Sequence, residues 1–172
     1  MNRIVLAACV SVAVSGCASM GIGGGATAEA DLAPTKGNSA TGKVTFVQDG
    51  DMVRVNVNVS GLKPGAMHGF HVHEKGDCSS GDGMSTGGHF NPDGKPHGPQ
   101  SAAHHAGDMP ALVADSYGNA STSFILHGVS IGSGSHDLVG KGLIVHRDPD
   151  DYTTQPTGNA GPRIACAVIK KT

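Results

Sequence analysis

Between Met52 and Ser60, Val53, Val55, Val57 and Val59 alternate with Arg54, Asn56 and Asn58. Successive side chains of an extended chain point to opposite faces, so this run is a strand with one buried and one wet face. A 3.6-residue helix would scatter the same valines around its circumference. Residues 41–47 precede it across Gln48-Asp49-Gly50-Asp51, and Asp-Gly between two such runs predicts a hairpin. Further short strands fit residues 67–73, 111–114, 121–127, 142–146 and 164–169, with a weaker one at 27–32. No stretch has the length and period of an α-helix. The 27 glycines and 9 prolines make up about a fifth of the 172 residues, against ~12% in an average chain. The expectation is an all-β fold: an eight-stranded antiparallel Greek-key barrel or sandwich with two long functional loops, residues 74–110 and 147–162.

Twelve Lys and Arg face fourteen Asp and Glu, a net charge of −2. That balance removes the electrostatic basis for binding nucleic acid. The first residues read as an address. Arg3 supplies a positive start, residues 4–14 are apolar, and Ser15-Gly16-Cys17 offers a small-residue cleavage site. The apolar run is too short for a bilayer span, which needs ~20 residues. Val14-Ser15-Gly16-Cys17 resembles the bacterial lipobox, whose cysteine is lipidated and becomes the new N-terminus. Leu6-Ala7-Ala8-Cys9 fits the same pattern but leaves too short an apolar run. The competing reading is a plain cleaved signal with an incidental cysteine.

The expected organisation is a signal peptide over 1–16, a Gly-rich tether over 17–25 and one domain over 26–172. Ala18, rather than aspartate, follows Cys17, so the expected location is the periplasmic side of the outer membrane, reached only through the lipid anchor. With Cys9 removed and Cys17 lipidated, Cys78 and Cys166 remain, read most economically as one disulfide of an exported chain. Closing a loop of nearly ninety residues contributes on the order of 4 kcal/mol in the chain-entropy treatment.

Histidine is the unusual component: ten residues, with aromatics at only 3% and no tryptophan. His71 and His73 stand two apart in an expected strand, so both imidazoles leave one face. His89, His97 and His105 follow at intervals of eight, Asp108 lies three beyond the last, and His146 closes a later strand. Six imidazoles and one carboxylate suit copper and zinc and are a poor set for magnesium or calcium. Seven donors are too many for one tetrahedral metal, whereas two neighbouring metals sharing a ligand fit the number.

Four segments then resemble copper/zinc superoxide dismutase in order. They are Gly69-Phe70-His71-Val72-His73-Glu74, Gly88-His89-Phe90-Asn91-Pro92, His105-Ala106-Gly107-Asp108 and Gly158-Asn159-Ala160-Gly161-Pro162-Arg163-Ile164-Ala165-Cys166. The resemblance runs from about Thr41 to the C-terminus. It implies one copper and one zinc ion per subunit: His71, His73, His89 and His146 on copper, and His89, His97, His105 and Asp108 on zinc. His89 is then the shared imidazolate, releasing copper on reduction and storing a proton. Asp150 matches the carboxylate that links a copper histidine to a zinc histidine, Arg163 the arginine that guides the anion to copper, and Cys78–Cys166 the family disulfide. His68 matches a structural histidine, and His127 and His136 read as loop histidines outside the site. His105 rather than His104 has the three-residue spacing to Asp108.

The implied activity is dismutation of superoxide to dioxygen and hydrogen peroxide, protecting the cell envelope from oxidative damage. Two departures stand out. Cys78 to His89 is longer than in animal members and like the bacterial insertion, and the second loop lacks the animal charged cluster, leaving Thr153, Thr154 and Gln155. Lys75, Lys95, Lys141 and Arg147 are the remaining candidates for local attraction of the anion. Bacterial members occur as monomers and as homodimers, and the resemblance leaves both open. The alternative function is a copper/zinc storage or delivery domain without turnover. Relatives of that kind are expected to miss a copper ligand or the arginine, and this chain has both. A zinc hydrolase needs an open coordination position, which four zinc donors do not leave.

Overall fold

The computed structural model describes residues 25–172; the expected signal peptide, Cys17 and the tether up to residue 24 lie outside the described residues. Ten strands carry the domain: β1 (Thr27–Pro34), β2 (Thr41–Asp49), β3 (Met52–Ser60), β4 (Met67–His68), β5 (Phe70–His73), β6 (Leu112–Val113), β7 (Ala120–His127), β8 (Gly142–His146), β9 (Arg163–Val168) and β10 (Lys170–Lys171). Among the described residues there is no α-helix, only a 3-10 turn at Met84–Thr86.

The main sheet runs β5-β8-β9-β1-β2-β3-β7 with every pairing antiparallel, and β10 pairs with the start of β1. β1 joins the two halves, because Thr27 to Leu32 lie against β2 while Ala33 and Pro34 lie against β9. A sheet that changes partners within one strand curls on itself and closes a core. Val44, Phe46, Val53, Val55, Val57, Val59, Phe70, Val72, Leu126, Leu143 and Val145 fill that core. The all-β reading holds, and the predicted hairpin turns at Gly50, whose φ of 62° is one a glycine adopts without strain.

Most strand bounds shift by a residue or two, and two of the differences have a clear physical cause. The run over 67–73 divides, β4 pairing with β6 and β5 with β8. The break falls at Gly69, whose N–H donates to the Asp148 carbonyl at 2.9 Å and whose carbonyl accepts from His146 N–H at 2.8 Å. A Cβ there would stand 2.7 Å from the Ala160 methyl, so only glycine lets the second long loop come this close. The run over 164–169 also stops early, because Ile169 exchanges backbone hydrogen bonds with Gly140 and Lys141 before the chain rejoins β1 as β10.

Burial separates the structural strands from those that carry chemistry. β3 alternates along its length, its four valines buried and Arg54, Asn58 and Ser60 exposed. β5 and β8 are buried at every position. Their inner faces, Phe70, Val72, Leu143 and Val145, belong to the core. Their outer faces carry His71, His73 and His146, covered by the two long loops. A disulfide between Cys78 and Cys166 fastens the first of these loops to β9.

Candidate metal centre

The first loop returns alongside β5 as a makeshift strand. Val72 N–H donates to Gly107 O and Phe90 N–H to Val72 O, each at 2.8 Å, and Gly107 N–H donates to Phe90 O at 2.8 Å. A Cβ at Gly107 would run into the Val72 carbonyl, so glycine is required for this approach. The lacing sets His89 opposite His73 and Asp108 opposite His71. Loop residues are thereby held with the precision of a sheet.

Two groups of donors result. His71, His73, His89 and His146 converge, as do His89, His97, His105 and Asp108, and in each group the nearest donor atoms lie within 4.8 Å of one another. All seven side chains are buried. His89 belongs to both groups, its ring centroid 4.0 Å from His71, 5.1 Å from His73, 5.3 Å from His97 and 5.5 Å from His105.

Hydrogen bonding determines which nitrogen each ring presents. His71 Nε2 bonds to Asp150 Oδ2 at 2.6 Å, His73 Nδ1 to Gly87 O at 2.9 Å and His146 Nδ1 to Gly161 O at 3.0 Å. Carbonyl and carboxylate oxygens only accept, so those nitrogens carry the protons and the opposite ones present lone pairs. Those opposite nitrogens, His71 Nδ1, His73 Nε2, His146 Nε2 and also His89 Nε2, make no hydrogen bond among the described residues. In the second group Nδ1 of His89, His97 and His105 lie 2.7, 3.0 and 3.3 Å from the same oxygen, Asp108 Oδ1. Nδ1 of His97 and His105 are likewise unpartnered. Buried lone pairs crowded around a carboxylate oxygen are costly unless a cation sits among them. Borderline nitrogen donors with one carboxylate fit copper and zinc.

Electrostatics follow the same geometry. Burial, reinforced by neighbouring imidazoles, holds His71 and His73 well below the ordinary histidine range, and burial brings His146 to about 4. Asp108 is lowered to about 2: burial opposes the shift, but its hydrogen bond to His89 and the charges of His89, His105 and His97 outweigh it. His71, His73, His146 and Asp108 are therefore kept in the deprotonated forms that bind metal.

Asp150 spans both groups, accepting from His71 at one oxygen and, at 2.9 Å, from His97 Nε2 at the other. Tyr152 N–H also donates to Asp150 Oδ1 at 2.7 Å, and the Tyr152 hydroxyl accepts from Ala111 N–H at 2.9 Å. The Tyr152 ring stacks on His97 with centroids 6.4 Å apart and planes 6° from parallel. Gln155 clamps the His97 backbone from both sides, accepting from its N–H and donating to its carbonyl, each at 2.8 Å. No spacing rule marks Tyr152 or Gln155, because their partners lie 41 and 58 positions away. The structure thus gives Gln155 a bracing role on His97.

Arg163 lines a cavity of about 290 Å³ together with His73, His146, Met84, Asn159 and Gly161. Its guanidinium donates to Gly83 O, Thr86 Oγ1 and Gly87 O, each at 2.7 Å. The Gly87 carbonyl therefore receives both Arg163 and His73. None of Lys75, Lys95, Lys141 and Arg147 lines this cavity. Lys95 pairs with Asp93, Arg147 with Asp148, and Lys141 lies over the Phe90 ring. His104, His127 and His136 stay outside both donor groups, and His68 braces the His146 carbonyl at 2.9 Å.

A curled antiparallel sheet carrying two adjoining nitrogen-rich donor groups, one imidazole common to both, defines a two-metal protein. Residues 40–169 match the family described as copper/zinc superoxide dismutase. "Superoxide dismutase [Cu-Zn] 2" of Aquifex aeolicus (strain VF5) is 39% identical over 150 residues, 83% of this chain and 86% of that protein. "Superoxide dismutase [Cu-Zn] 2" of Brassica juncea is 44% identical over 136 residues, 74% of this chain and 88% of the relative. Among solved structures, the clock protein EA4 superposes with a TM-score of 0.77 at 38% identity, covering 85% of this chain and 94% of that one. A double mutant of a SOD-like protein from Bacillus subtilis gives 0.72 at 34% identity, covering 81% and 95%. The chain belongs to the copper/zinc superoxide dismutase family, oxidoreductases that bind copper and zinc.

Proposed function

We propose that this chain dismutates superoxide in the bacterial cell envelope, with His71, His73, His89 and His146 holding copper and His89, His97, His105 and Asp108 holding zinc. The observation that carries the reading is His89, whose Nδ1 faces Asp108 while its Nε2 is left unpartnered toward the other three imidazoles. Copper held there would supply the one-electron redox chemistry that dismutation of superoxide needs. The protein supplies position, charge and protons. His89 Nε2 is the atom that holds a proton between the two halves of the cycle, so that two superoxides and two protons leave as dioxygen and hydrogen peroxide. Asp150 fixes the tautomers of His71 and His97 together. Arg163 attracts the anion into the cavity and holds it beside the copper donors. The purified protein should contain one copper and one zinc per chain and dismutate superoxide. Bound metals without turnover would favour the storage reading instead.

Asp108→Ala removes the only anionic donor of the zinc group. Zinc should fall well below one per chain by elemental analysis, and zinc retained at full occupancy would overturn the donor set. For Arg163, activity should fall in the order Arg, Lys, Gln, Glu. At ~5 Å and an effective dielectric of ~20, one unit charge changes the energy of the anion by about 3 kcal/mol. Even with screening, Arg163→Glu should slow turnover at least tenfold, since ~1.4 kcal/mol is tenfold. The spread should narrow as salt rises. Arg163→Lys should keep its copper, because the Gly87 carbonyl still holds His73. A Glu variant as fast as the parent at low salt would remove the guiding role. The envelope location rests on Val14-Ser15-Gly16-Cys17. Cys17→Ser should move the protein from the membrane fraction to the soluble periplasm, and an unchanged distribution would point to a plain secreted protein.

A further inference from the structure

Arg163 is held in place without being neutralised. Among the described residues its guanidinium donates only to uncharged oxygens, Gly83 O, Thr86 Oγ1 and Gly87 O. The charge of Asp82 reaches it, but that carboxylate accepts from Met84 N–H at 2.9 Å and not from the guanidinium. A cation tied to neutral acceptors keeps its pull on an anion, whereas a paired carboxylate would cancel it.

Of the three acceptors only Thr86 Oγ1 belongs to a side chain. Thr86 is fully buried, the last residue of the 3-10 turn over Met84–Thr86. Its place is fixed from three sides. Thr86 N–H donates to Gly83 O at 3.2 Å, and its carbonyl accepts from Lys75 N–H at 3.0 Å. Its methyl faces Gly142 at the start of β8, where a Cβ would stand 2.8 Å from it. The hydroxyl has a single proton and donates it to Gly83 O at 2.8 Å. Toward Arg163 Nη1, 2.7 Å away, it can therefore only accept. Hydroxyl, carbonyl and Nη1 close a triangle, so one side chain holds both the guanidinium and a carbonyl that also holds it.

We propose that Thr86 is a positioning residue for dismutation: its buried hydroxyl fixes the Arg163 guanidinium at the cavity through a neutral oxygen, so that the whole charge faces the incoming anion. The inference rests on the guiding role proposed for Arg163. A rigid neutral support of this kind places a charge without spending it.

Three substitutions separate the oxygen from the packing. Thr86→Val keeps the branched shape and the contact with Gly142 but removes the acceptor. Thr86→Ser keeps the acceptor and removes the methyl. Thr86→Ala removes both. Each is made in the full-length protein, purified with its metals and kept reduced, and hydrogen exchange at Arg163 Nη1 is followed by NMR beside dismutation at low salt. In Thr86→Val and Thr86→Ala exchange should quicken and dismutation should fall, each by about fivefold or more, the scale of one lost hydrogen bond. Thr86→Ser should stay close to the parent in both. Copper and zinc contents should be unchanged, since Thr86 belongs to neither donor group. Dismutation by Thr86→Val equal to the parent's would overturn the proposal. So would a Ser variant as impaired as Val, which would make packing the cause. A parent that does not dismutate would fail the dismutase reading by itself, while unchanged exchange in Thr86→Val would still refute the hold on Arg163.

Discussion

His146→Ala should abolish dismutation while one zinc per chain stays bound. The His146 ring presents Nε2, unpartnered and buried, to the group that also holds His71, His73 and His89, and it contributes nothing to the group around Asp108. Alanine therefore removes one of the four donors proposed for copper and none of the four proposed for zinc. The rest of β8 keeps its pairing with β5 and β9 through Leu143, Ile144 and Val145, so the sheet survives. Gly161 O loses the ring that bonded to it at 3.0 Å, but it borders an open cavity where water can replace that bond. Activity should fall to background, far beyond the graded tenfold steps expected for Arg163, because the redox centre itself is dismantled. Elemental analysis and a superoxide assay on the same preparation check both halves. Retained activity would remove His146 from the copper set, and simultaneous loss of zinc would mean that the two groups are not separable.

Stripped of metal, the protein should lose stability steeply as pH falls from about 6.5 toward 4. His146 titrates at about 4 in the folded chain against 6.5 for an unperturbed histidine, because burial penalises its charged form. Between those values the unfolded chain takes up a proton that the folded one refuses, so each pH unit favours unfolding by ~1.4 kcal/mol. His146 alone thus accounts for roughly 3 kcal/mol, more than a hundredfold in the folding equilibrium. His71 and His73 are shifted in the same direction by the same burial and add to the loss. His97 partly offsets them: burial works against its charge, but the Asp150 hydrogen bond and the Asp108 charge raise its value, so its contribution is present at low pH and lost on going up. Asp108, lowered to about 2, keeps its contribution above the ordinary carboxylate range and loses it as pH drops through that value. Bound metals hold the imidazoles deprotonated, so the loaded protein should resist acid until the metals leave. Urea unfolding at pH 7, 5.5 and 4.5, with and without metals, checks this. Equal stability of the metal-free protein at all three would show that the histidines do not control it.

The strands were readable wherever one face is wet. The β3 valines alternate because Arg54, Asn58 and Ser60 meet solvent. β5 is harder to read, because Phe-His-Val-His is buried on both sides and its polar face is polar for a metal, not for water. The division of residues 67–73 at Gly69 was hidden for a similar reason, being imposed by Asp148 and Ala160 from a loop some eighty to ninety positions away. The donor residues were visible through their types and spacing. Their bracing by Tyr152, Gln155 and the carbonyls of Gly83, Gly87 and Gly161 was not, since a backbone carbonyl carries no sequence signature and a glutamine in a loop looks like any other.

The sequence by itself determined the class of fold, from period-2 valines and turn residues, and the chemistry, from six histidines and an aspartate spaced for two metals. Both are properties of residue type and local order. Only the tertiary structure decided how the rings are aimed: which nitrogen of each histidine is tied to an oxygen and which is left as a lone pair. It also decided that one carboxylate, Asp150, braces both groups, and that Arg163 is held at the cavity by loop carbonyls. These depend on contacts between distant segments, and their physical basis is that a buried ring nitrogen must either find a partner or face a cation.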